Sequence, residues 1–336
     1  MKRTEILSEF EQFASRKLAI SSEQSYRVWI DHYLDFLASP ASRKFDTSES
    51  KVEHFLSDMA RGDYSRTSQN QAFNAILFLY RNVFKTELAN IDAARCKTHV
   101  KERYVPTPDE IMAMFRHLHD TPLYRVRLLV ALLYGCGLRV TEGCQLRVKD
   151  FDIPAMSLTV HDGKGMKDRQ VRLPEVLIPA IEKQLARATA LADIDIAEGQ
   201  PVQLPGRLAT KYPKNQFQAR WHFLFPSPHP CAHPRTKQIV RWCIGPDVVQ
   251  RAVRTAAEQS GVSGKVTPHC LRHAFCTHLL DSGKNIRRVQ EAMGHNDVRT
   301  TAGYARKECL EMASPLDGIR PALPKTSDRL PTPYET

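Results

Sequence analysis

The stretch from Val266 to Arg306 constrains the fold most, because its punctuation cuts it into three short helices. Pro268 stands where a first helical turn accepts a proline. Leu271, Phe275, Leu279 and Leu280 recur at helical spacing, and Gly283 supplies a stop. A second helix runs from Asn285 to about Met293 and ends at Gly294, and Asn296 or Asp297 can cap a third. On this frame His269 and Arg272, three apart, share a helix face. His295 falls just past the second helix, and Tyr304 lies within or just beyond the third. Two imidazoles, a guanidinium and a phenol are thus presented with no carboxylate cluster that could hold a metal.

The chain has 336 residues, enough for two domains with separate cores. The first hundred read as helices: Ile6 to Leu18, Glu23 to about Leu37 capped by Ser21 or Ser22, Val52 to Ala60 stopped by Gly62, and Thr67 to Phe84. Scattered Arg, Lys, Ser, Asn and Gln on such a module suit gripping a nucleic-acid backbone. Residues 1–92 read as this helical domain and residues 93–106 as a linker carrying Arg95, Lys97, Lys101 and Arg103. A second domain should span 107–315, leaving the proline-rich, polar residues 316–336 as a mobile tail. A net charge of +11 favours a polyanionic partner and salt-dependent affinity.

No run reaches the 18 or so apolar residues a membrane span needs, and Met1 to Phe10 has no apolar core, so no signal peptide is read. None of the eight cysteines forms a C-x-x-C pair, so they read as reduced core thiols of a cytoplasmic protein. His229, Cys231 and His233 match no common zinc spacing and read as a proline-rich loop. Neither metal nor cofactor is expected.

Thr107, Pro108, Asp109 and Glu110 open the second domain with a strong helix start. An apolar helix from Leu123 to Tyr134 is broken by Gly135 and Gly137, and Arg139 starts the next. Glu142 is one turn on, close enough to orient a neighbouring basic group. Residues 157–174 read as a β-hairpin, with Leu158 and Val160 on one strand and Val171 and Leu173 on the other. Lys164 sits between two glycines at its tip, and Lys167 and Arg169 are placed to grip phosphates. Residues 193–234 are rich in proline yet carry Tyr212, Phe217, Trp221, Phe223 and Phe225.

The boxes GLRVTE (137–142), HCLRHAFCTHLL (269–280), MGH (293–295) and TTAGY (300–304) together resemble the tyrosine recombinase, or phage integrase, family. The wording of SSEQSYRVWIDHYLDF and SQNQAFNAILFLYRNVF, and of KYPKNQFQARWHFLFPS, is most similar to integron integrases. The resemblance implies a mainly α fold with a small antiparallel β-sheet: an N-terminal helical core-binding domain, then an α+β catalytic domain with a family-specific insertion near 193–234. It implies Arg139, Lys164, His269, Arg272, His295 and Tyr304 as catalytic residues, with Glu142 supporting them. It also implies DNA as partner, as duplex and as folded single-stranded hairpin, gripped by a homo-tetramer. Trp221 in the insertion and Trp242 are the expected base-stacking residues, Trp242 because VRWCIGPD stands where the family usually has consecutive histidines. A Xer-like or phage-type recombinase acting only on duplex sites is the alternative.

Overall fold

In the computed structural model the described residues are 1–62, 64–96, 104–121, 124–161, 168–206, 208–283 and 285–293, with residues 286, 287 and 290 described by backbone alone. The chain divides into two compact units, Met1–Glu102 and Arg103–Thr336. The described residues are mainly helical, with small antiparallel sheets.

The first unit contains α1 (Arg3–Lys17), α2 (Ile20–Ala38), α3 (Ser48–Arg61) and α4 (Arg66–Leu79). Thr47 and Ser65 cap α3 and α4, accepting from the Ser50 and Ser68 backbone N–H groups at 3.1 and 3.0 Å. The expected caps Ser21 and Ser22 lie instead inside the first turn of α2, which starts after Ala19. Nor is 67–84 one uniform helix. The Asn82 side chain donates to the Phe78 carbonyl at 2.8 Å, competing with the helical ladder, and Tyr80–Phe84 widens into a π turn.

Phe10, Ile30, Tyr33, Leu56, Ile76 and Leu79 are buried in this unit's core. Gln69, read from sequence among the backbone-gripping polar residues, is also buried. Its amide donates to the Leu56 and Ala94 carbonyls at 2.8 and 2.6 Å and accepts from the Cys96 N–H at 3.1 Å. It staples residues 94–96 to the helices, so the start of the expected linker folds with the first unit. At its other end the Tyr104 hydroxyl already bonds Glu110 in the second unit. Lys97, Lys101 and Arg103 lie outside the described residues.

The second unit opens with α5 (Pro108–His117), started by a Thr107–Glu110 capping box. Its centre is α6 (Val126–Gly135), apolar and buried at every position but Arg127. Then come α7 (Val140–Cys144) and an antiparallel sheet of β1 (Phe151–Asp152), β2 (Ser157–Val160) and β3 (Arg169–Arg172). Next are α8 (Ile178–Ala197), α9 (Leu208–Lys211), β4 (Cys231–Ala232) and β5 (Ile239–Val240). The unit closes with α10 (Pro246–Gln259), α11 (Pro268–Asp281) and α12 (Ile286–Met293). Helix α10 packs on α5, α11 on α6, and α12 on β3.

Residues 193–234 are tied down from within. Asp195 is fully buried on α8 and accepts from Arg241 Nε and Nη2 at 2.8 and 2.5 Å. Arg241 Nη1 donates to the Ser227 and Pro228 carbonyls at 3.2 and 2.7 Å. Phe223 and Phe225 belong to the core. Cys231, expected in a loop and as a core thiol, is exposed and pairs with Val240 in the β4–β5 ladder. Among the described residues no three His, Cys, Asp or Glu side chains are grouped to hold a metal ion. Among them too, no helix is long and apolar enough to cross a membrane.

Candidate active site

The site begins with a glycine. Gly137 has φ +60°, and a Cβ there would sit 2.5 Å from the Phe275 ring, so this turn demands glycine. The turn buries Leu138 and brings Arg139 to the N-cap of α7. Glu142, at the third position of that helix, accepts from the Arg139 backbone N–H at 2.8 Å and from its Nη1 at 2.6 Å. The side chain of Arg139 is 32 % exposed and that of Glu142 only 7 %.

A second guanidinium arrives from α11, whose start is capped by Thr267. Arg272 is almost wholly buried. Its Nη1 donates to the Gly137 carbonyl at 2.6 Å and lies 3.6 Å from Glu142 Oε2, and its Nη2 donates to the Met293 carbonyl at the end of α12. A third comes from β3. Arg169 donates from Nη2 and Nη1 to the two Glu142 oxygens at 2.6 and 3.1 Å, and from Nε to the Ala292 carbonyl at 3.0 Å.

One carboxylate therefore faces three guanidiniums from three distant parts of the chain. Burial alone would push the Glu142 carboxyl up, but hydrogen bonds and charge from Arg169 and Arg139 reverse this and hold it at about 2. Burial lowers Arg272 to about 10, the like charge of Arg139 adds to that, and Glu142 opposes it. Among the described contacts, three guanidiniums meet one carboxylate, an arrangement that suits an added anion, with Arg139 as the outward member.

Of the expected catalytic residues, the structure brings Arg139 and Arg272 together on Glu142. His269 is exposed on α11, its ring edge-on to His273 at 4.6 Å between centroids. Lys164, Lys167, His295 and Tyr304 lie outside the described residues. At the neck of the hairpin that carries Lys164, His161 Nδ1 is 2.8 Å from Asp168 Oδ2, and its Nε2 is 3.3 Å from Asp150 Oδ1.

Arg169 departs from the expected phosphate-gripping placement. Its side chain is 9 % exposed and turned inward onto Glu142. The signal was in the alternation: the period of two that sends Val171 and Leu173 into the core puts Arg169 on the same strand face. Trp221 and Trp242 are both half-buried. Trp221 lies under Lys149, whose Nζ is 4.7 Å from its ring, and Trp242 leans on His233. The open aromatic faces of the insertion are Tyr212 and Phe217, 48 % and 41 % exposed. No local spacing singled these two out from their buried neighbours Phe223 and Phe225.

Residues 104–310 match the phage integrase family, and residues 7–90 match the phage integrase N-terminal SAM-like domain. An integrase/recombinase of Escherichia coli is 38 % identical over 319 residues, 93 % of this chain and 91 % of that protein. The tyrosine recombinase XerA of Pyrococcus furiosus is 29 % identical over 326 residues, 94 % of this chain and 96 % of its own. Among solved structures, XerH bound to its difH substrate superposes with a TM-score of 0.56 at 18 % identity, covering 87 % of this chain and 79 % of that one. A lambda integrase dimer bound to a core site gives 0.56 at 15 %, covering 88 % and 96 %.

Proposed function

The chain belongs to the phage integrase family, and from that premise we propose that it is an integron-type tyrosine recombinase. Its coarser activity is that of a tyrosine recombinase, an enzyme that cleaves and joins DNA strands. In the finer reading it inserts and excises gene cassettes at folded single-stranded hairpin and duplex sites, as a homo-tetramer in the cytoplasm. The observation that carries the chemistry is the meeting of Arg139 and Arg272 on one buried carboxylate, which leaves a cationic seat for a phosphate. The exposed Tyr212 and Phe217 support the hairpin reading, because an aromatic face open to solvent can stack a splayed base.

The proposed reaction is an in-line exchange at phosphorus. The Tyr304 oxygen attacks the scissile phosphate and gives its proton to His269, while Arg139 and Arg272 offset the charge on the nonbridging oxygens. The bond from phosphorus to the 5′-oxygen breaks, and Lys164 protonates that oxygen as it leaves. His295 donates a further hydrogen bond to the phosphate. The resulting 3′-phosphotyrosyl bond keeps the energy of the phosphodiester, so a different 5′-hydroxyl can reverse the step.

The decisive test pairs Tyr304→Phe with two substrates. On a nicked suicide site the wild type should trap a covalent DNA adduct, and Tyr304→Phe should lose it completely while still binding DNA. Retention of the adduct would refute the nucleophile. A folded hairpin should bind more tightly than a duplex of the same sequence. Equal or weaker hairpin binding would favour recombination at duplex sites alone.

A further inference from the structure

Arg169 has no place in the reaction just described, yet its guanidinium makes three hydrogen bonds in the site. It sits at the first position of β3, five residues after Lys164 in the sequence. It spans both oxygens of Glu142 and also the carbonyl of Ala292. Ala292 and Met293 are the last described residues of α12. Arg169 takes the carbonyl of the first and Arg272 that of the second. Two residues past Met293 the sequence reaches His295.

We propose that Arg169 is a positioning residue for strand cleavage, fastening the end of α12 and the strand leaving the lysine turn to the carboxylate that orients Arg139 and Arg272. It touches no phosphate. The inference rests on the phosphotyrosyl reading above. The shape of the group matters as much as its charge. A planar fork can bridge a carboxylate with two parallel N–H bonds and still donate sideways from Nε, which a lysine ammonium cannot do. Removing Arg169 leaves Glu142 with a free share of its charge, and that share competes with the phosphate for Arg139 and Arg272.

The test measures four quantities on Arg169→Lys and Arg169→Gln: the single-turnover rate of adduct formation at saturating DNA, the DNA Kd, the slope of log Kd against log salt, and the melting temperature. Cleavage should slow roughly ten- to a hundredfold, the range seen when a supporting partner of a reactive group is removed. Kd and its salt slope should match the wild type. A phosphate-gripping arginine predicts the opposite in Arg169→Gln, which removes the charge: a slope shallower by about one unit with cleavage tracking affinity. That outcome would overturn the proposal. So would an unchanged rate, or a rate loss that disappears once the folded fraction is accounted for. If Arg169→Lys fails to fold, Arg169→Gln alone is read by the same criteria. Wild-type protein is the control: no adduct there would sink the phosphotyrosyl reading itself, whereas a normal wild-type adduct with indifferent variants would sink only the role of Arg169.

Discussion

Two buried carboxylates of the second unit bind arginine in opposite ways. Asp195 meets one guanidinium, Arg241, whose remaining donors reach the Ser227 and Pro228 carbonyls. Charge is matched one to one, both partners are almost wholly buried, and residues 193–234 are fastened shut. Glu142 meets three guanidiniums, one of them about a third exposed. That site keeps an excess of positive charge beside solvent. Identical residue chemistry thus yields a staple where the charges close and a seat for an anion where they do not.

The sharpest way to break this contrast is Asp195→Ala. It strands the Arg241 charge in the interior and should destabilise the second unit by about 3–5 kcal/mol, read from denaturant midpoints. Adduct formation per folded molecule should not change, and a fall in that rate would make Asp195 part of the reactive site. Next in size is Arg272→Lys. Replacing a preorganised donor should slow cleavage on the order of 10²–10³-fold, with DNA binding largely kept. A change confined to Kd would mean that Arg272 only holds DNA.

Acid should then separate the two regions by pH. Burial holds the His222 ring, beside Asp195, at about 4 from a usual 6.5, with Asp195 opposing that shift and Arg241 and Arg147 adding to it. Between those values the unfolded chain binds a proton the folded one refuses, so stability is full above pH 6.5 and falls as pH drops towards 4. Glu142 lies below its usual 4.5, so its contribution is present above that value and is lost only as pH falls towards about 2. Amide exchange followed down a pH series should show residues 193–234 loosening before residues 137–144. The reverse order would contradict this ranking of the two sites.

Much of this was legible in the sequence because it depends on neighbours along the chain. The Thr107–Glu110 capping box, the stop at Gly62 and the alternation of Val171 and Leu173 are local rules, and the structure follows them. Local rules misled where a side chain bonds to something far away. Gln69 is one of the polar residues scattered on the first unit, yet it is buried because Leu56, Ala94 and Cys96 converge on it. Trp221 read as a stacking face and is half-buried beneath Lys149. Tyr212 and Phe217 differ from Phe223 and Phe225 only in which of them the fold leaves uncovered.

The sequence by itself determined the helix starts and stops, the mainly helical fold with its hairpin, and the arginine boxes that mark the family. All of these follow from contacts a few residues apart or from words short enough to match. Only the tertiary structure decided which arginines share a carboxylate. Glu142 and Arg139 are three residues apart, but Arg169 and Arg272 arrive from another strand and another helix. Charge interactions depend on distance in space: alternation along β3 can turn Arg169 inward, but nothing along the chain says which of 48 lysines and arginines will meet Glu142.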